Sequence, residues 1–148
     1  MAVMHSWLLA AAASSALAAL LHLGCIAFGP AWYRFFGAGE RMATLAAAGS
    51  PVPALVTLGI AAVLGVWSLY ALSGAGVVGR LPLLRVALCV IAGIYLLRGI
   101  GGFLLAAIGP GERSVAFWVW SSLICLGIGA LHAIGTWQAW ARLGETAG

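Results

Sequence analysis

Four apolar runs, at about residues 6–29, 52–73, 84–108 and 115–138, constrain this chain more than any other feature. Each is long enough to cross a hydrocarbon core of about 30 Å at about 1.5 Å per residue. A membrane interior offers the backbone no water, so segments of this kind are satisfied there as helices. Hydrophobic residues fill 64% of the 148 positions and charged residues only 7%. With a mean hydropathy of +1.13, the chain is excluded from the class of soluble globular domains. The sequence therefore predicts an all-α integral membrane protein: one domain over residues 1–148, a four-transmembrane-helix bundle running up-down-up-down.

The connections refine that expectation. "GAGVVGRLP" and "GPGER" are short Gly/Pro turns that make their flanking spans antiparallel neighbours. The long connection, residues 30–51, is bounded by Pro30 and Pro51; Glu40 suits a helix amino terminus and Gly49 suits its end. Trp32, Tyr33, Phe35 and Phe36 are too apolar for a freely solvated loop. An amphipathic loop helix after the first span is expected, lying in the interface or folded back on the bundle. Trp7 and Trp32 bracket the first run, and Trp118, Trp137 and Trp140 the fourth, as for rings seated at the two membrane interfaces. "SSALAA" offers the small residues of a signal cleavage site, but "MAVMHS" before it carries no Lys or Arg, so an uncleaved span is expected.

All seven basic residues are arginines, well separated along the chain, and the acids are Glu40, Glu112 and Glu145. No basic cluster is present, which argues against nucleic acid as a partner. Arg80, Arg85 and Arg142 fall on the side of the termini, and Arg34, Arg41 and Arg113 on the other. That balance leaves dual insertion open, and the expectation adopted is a bacterial inner membrane with cytoplasmic termini. Cys25, Cys89 and Cys125 lie in three different runs without metal or dithiol spacing and read as buried, inert thiols.

Arg98 is the anomaly, a cation near the middle of the third span, where insertion costs roughly 2.5–3.5 kcal/mol. His22, Thr57, Tyr95, Ser121 and Ser122 fall at similar depth and are expected to converge on one cavity that opens toward the loop carrying Tyr33, Arg34, Glu40 and Arg41. Three accounts follow. Arg98 is satisfied within the chain, by Glu40 folded inward or by backbone carbonyls; or it receives a ligand such as a lipid phosphate or a quinone oxygen, with His22 and Tyr95 as further partners; or it makes a contact between subunits. The candidate ligand-binding set is His22, Tyr33, Arg34, Glu40, Thr57, Tyr95, Arg98, Ser121 and Ser122.

His22 and His132 are about 15 Å apart along the membrane normal at 1.5 Å per residue, too far to ligate one haem within a subunit. His22 is expected to hydrogen-bond across helices, and His132 to be interfacial near Trp137 and Gln138. No metal motif, paired carboxylate or Ser/His/Asp set appears, so no catalytic residue is assigned; the cofactors left open are quinone or lipid. "GIGG" (99–102) lacks the setting of a phosphate loop and suits close helix packing.

The stretches "GPAWYRFFGAGERMA" (29–43), "LYALSGAG" (69–76) and "IYLLRG" (94–99) together resemble those of small four-span bacterial membrane proteins that carry no assigned activity. The resemblance implies location and fold alone. The chain does not match small multidrug exporters, which place a lone acid in the first span, or glutathione-linked membrane enzymes of similar length. The leading functional expectation is non-catalytic: an accessory subunit of a larger membrane complex, or a binder of lipid or another hydrophobic ligand. The alternative is a membrane-embedded enzyme or transporter for a lipophilic anion or quinone, built on His22, Tyr95, Arg98 and Glu40. Expected partners are membrane lipids and another membrane protein, or a second copy meeting the small-residue face of Ala10, Ser14 and Ala18.

Overall fold

The computed structural model describes residues 6–144, and every regular element among them is a helix. In chain order these are α1 (Ser6–Phe28), α2 (Pro30–Phe35), α3 (Glu40–Ala47), α4 (Val52–Ala75), α5 (Leu84–Ile108), α6 (Val115–Gln138) and α7 (Trp140–Gly144). Helices α1, α4, α5 and α6 are each long and apolar enough to cross a membrane. Their bounds lie within two residues of the apolar runs.

Local chemistry sets the helix ends. Ser114 caps α6 by accepting the Phe117 amide at 3.1 Å, which satisfies one of the amide groups left orphaned at a helix start. Gly76, at φ 81°, ends α4; the Val77 amide then reaches back to the Leu72 carbonyl at 3.0 Å, a closure that needs a left-handed residue. In the 30–51 segment Glu40 opens α3, and Gly49 follows it at φ 75°. The sequence reading did not separate α2, one short turn that starts on Pro30.

Packing is uneven. Helix α1 lies chiefly on α4, and α5 on α6, whereas α4 and α5 touch little. Small residues bring each pair together: Ala11 and Ala12 meet Ala71, and the Ser68 hydroxyl donates to the Ala12 carbonyl at 2.8 Å. In the second pair Gly99 lies against Leu126, and Gly129 against Leu96.

The two pairs are fastened at the end that holds the termini. Leu8, Ala75, Leu84, Leu88, Ala139 and Leu143 form one buried cluster there. Three arginines serve the carbonyls left over at the carboxyl ends of α4 and α6–α7. Arg142 donates to Gly74, Arg80 to Leu143, and Arg85 to Trp140 at 2.6 Å, its guanidinium also lying 4.2 Å from the Trp140 ring centroid. At the opposite end the pairs part.

Candidate functional site

A cleft of about 1030 Å³ occupies the space where the α1–α4 and α5–α6 pairs diverge. Its walls are mostly apolar, and Val56, Ile60 and Val63 of α4 and Trp120 and Ile124 of α6 line it and are exposed. The cleft thus opens sideways. Of the sequence candidates, His22, Arg34, Tyr95, Arg98 and Ser121 line it.

Arg98 turns toward the loop end. Its Nη2 donates to the Ser121 hydroxyl at 3.3 Å, and its guanidinium carbon sits 5.0 Å from the centroid of the Trp118 ring. Trp118 lies one helical turn inside α6 and donates its indole N–H to the Pro110 carbonyl at 2.9 Å. A long side chain thereby carries its charge from mid-helix toward the amino-terminal end of α6. The Nη1 atom of Arg98 is buried without a hydrogen-bond partner, as is the Ser122 hydroxyl. Both crowd Gly102, where a Cβ would stand 2.7 Å from Nη1, so only glycine leaves the guanidinium its place.

The expected Glu40–Arg98 pair does not form. Arg34 reaches Glu40 first, donating from Nε at 3.1 and 3.0 Å and from Nη2 at 2.7 Å. The chain between Gly37 and Gly39 turns back so that residues six apart meet on the exposed side of the loop. Among the described residues this is the one ion pair, and Glu145 lies outside them. The Arg34 hydrogen bond holds the Glu40 carboxyl below the usual carboxylate range, and Glu40 raises Arg34 in return. A lowered folded-state pKa means that the contribution of the pair is present above the ordinary carboxylate range and is lost as pH falls through the lowered value. A carbon-13 titration of Glu40 is expected to show that depressed midpoint, and Arg34→Gln should return it to the ordinary range.

Other candidates sit elsewhere. Tyr33 is buried beside Cys25 and Ala43, behind the cleft wall. Thr57 is buried on the α4 stripe of Ala61, Ser68 and Ala71, the stripe that meets α1. Ser122 faces α5 at Gly102. His22 bonds the carbonyl of Ala18 in its own helix at 2.7 Å instead of a neighbouring helix, because the ring nitrogen reaches back one turn. His132 is fully buried, not interfacial: its ring stacks on Tyr95 at 5.3 Å, and its Nδ1 meets the Ile128 carbonyl at 3.0 Å. Trp118 is 9% exposed and serves Arg98, while Trp120 at 67% is the outward-facing ring at that end. Cys89 is exposed on the apolar surface of α5 and is not a core thiol.

Tyr95 anchors the inner end of the cleft. Its hydroxyl shares a 3.0 Å hydrogen bond with Ser15, and Trp67 packs edge-on against its ring at 5.0 Å. Arg113 closes the loop end, donating to the carbonyls of Gly37 at 2.9 Å and Ala38 at 3.2 Å. Sequence reasoning missed Arg113, Trp118 and Gly102. The helical spacing of Trp118, Ser121 and Cys125 on one face of α6 was the available signal for Trp118. No group of three or more metal-ligating side chains occurs among the described residues. Comparison with protein families, curated proteins and solved structures finds no match to this chain.

Proposed function

We propose that this protein is a non-catalytic membrane protein that binds a hydrophobic or amphiphilic molecule drawn from the bilayer. The observation that carries the reading is the apolar cleft with a guanidinium on its wall that has no carboxylate partner among the described residues. A cleft of this size stands at the upper end of the roughly 300–1,000 Å³ typical of small-molecule sites. It also combines apolar walls with few polar groups, as such sites do.

Opposed courses for neighbouring helices support an up-down-up-down path; the membrane proposed for it is a bacterial inner membrane. Leu8 clusters with Ala75 and Ala19 with Leu64 across α1 and α4, and Gly102 meets Ser122 while Gly99 meets Leu126 across α5 and α6. In that setting the amphipathic 30–51 segment lies at the interface, held to the cleft mouth by Arg113.

Gly59 provides the test, because it lines the cleft and a Cβ built on it meets nothing within 4 Å. Native mass spectrometry of gently extracted wild-type protein is expected to show one amphiphile per chain, and Gly59→Trp, which puts an indole into the cleft, should fold and retain less of it. A bare wild-type chain, or equal occupancy in the variant, would refute the reading. An empty cleft with a co-purifying membrane protein would replace it with that of an accessory subunit.

A further inference from the structure

We propose that the loop-side mouth of the cleft is a headgroup site for an acidic glycerophospholipid, with Arg98 receiving the phosphodiester. The inference rests on the reading of the cleft as a ligand site and adds the class of molecule.

Charge is the first reason. Arg98 and Arg113 share one indole: their guanidinium carbons lie 5.0 and 5.5 Å from the Trp118 ring centroid, and Arg113 also lies 5.2 Å from that of Phe117. Aromatic faces stabilise guanidinium groups without neutralising them. Neither arginine forms an ion pair, Arg113 being spent on two backbone carbonyls. Glu40 is committed to Arg34, and Glu112 sits beside Gly39. Glu112 forms no ion pair, so three guanidiniums, those of Arg34, Arg98 and Arg113, face two carboxylates and the mouth keeps a net positive charge among the described residues.

Shape is the second reason. Arg98 lines the cleft with one terminal nitrogen on Ser121, while the other is buried at Gly102 in the α5–α6 seam; the edge of the guanidinium that faces the cleft offers a phosphate a charge-assisted hydrogen bond. From this point the apolar wall continues inward along Val56, Ile60 and Val63, whose exposed faces let acyl chains enter from the bilayer without crossing water. A zwitterionic headgroup would add an ammonium to a mouth that already holds three guanidiniums against two carboxylates. A neutral quinone would leave the cation uncompensated. Both are disfavoured relative to a net anionic phospholipid.

The test uses the full chain in nanodiscs of equimolar phosphatidylglycerol and phosphatidylcholine with matched acyl chains, and native mass spectrometry of what each chain retains. Wild type is expected to hold phosphatidylglycerol about tenfold over phosphatidylcholine, the scale of a charge-assisted hydrogen bond. Arg98→Gln should still retain a lipid but with a ratio near one, and Arg98→Lys should keep a reduced preference, since it preserves the charge and loses the fork. Retained lipid without headgroup preference in wild type, or an unchanged preference in Arg98→Gln, would overturn the headgroup site while leaving the cleft reading intact. A wild-type chain that retains no lipid would remove the cleft reading and this proposal with it.

Discussion

Gly135→Leu is expected to lower the unfolding free energy by about 3 kcal/mol, the scale of severe overpacking, and to reduce the amount of folded protein recovered from membranes. A Cβ at 135 would stand 2.7 Å from Cγ of Leu8 and 3.0 Å from its backbone nitrogen. The first contact is a side chain that can adjust; the second is main chain in the middle of the fastened end. Leu8 is itself fully buried in the cluster that joins the two helix pairs. Leu8→Ala alone should cost about 2–4 kcal/mol, through lost packing and the cavity left behind. Combined with Gly135→Ala it should cost less than the two changes separately, since removing Cγ relieves one of the two contacts. Thermal unfolding in mild detergent would measure all three variants, and simple additivity would show that the contact is not shared.

The second pair has its own seam, and Gly129→Leu should open it. Leu96 of α5 fills the space over Gly129, where a Cβ would lie 2.9 Å from Cδ2 and 3.1 Å from the Leu96 backbone nitrogen. Leu126 of α6 fills the space over Gly99 in the same way, at 2.6 Å from Cγ and 3.1 Å from the backbone nitrogen. This reciprocal exchange of large and small residues keeps the two backbones close, and dispersion at such seams is a main force holding helices together in lipid. A loss of about 3 kcal/mol is expected. Ligand retention should fall as well, because the seam sets Arg98 of α5 against Ser121 and Trp118 of α6, although residue 129 does not line the cleft. Unfolding and native mass spectrometry on one sample separate the two effects. A variant as stable as wild type would show that the seam yields freely.

The four long helices were legible because hydropathy and length alone select them. Depth along the membrane normal also brought out His22, Tyr95, Arg98 and Ser121, which the folded chain gathers on one cleft. Depth gives no information on which side of a helix a residue faces, and the errors follow from that. His132 was placed at the interface but on the wrong face; Ile128, His132 and Gly135 form one helical stripe, and all are buried. Thr57 and Ser122 share the cleft's depth and point into helix seams. Trp118 was assigned to the interface by residue type, while Arg98 claims its ring. The Arg34–Glu40 pair depends on the backbone course through Gly37 and Gly39, at φ 72° and 98°, which no periodicity encodes.

A structure of the full chain in a lipid nanodisc addresses the ligand cleft most directly. The expected result is elongated density running from Val63 and Ile60 to the Arg98 guanidinium, ending beside Trp118, with the helix pairs joined at the terminus end and parted at the loop end. A collapsed cleft, with α4 packed along α5 through Ile60 and Ile94 and Arg98 neutralised by a carboxylate of the chain, would contradict it.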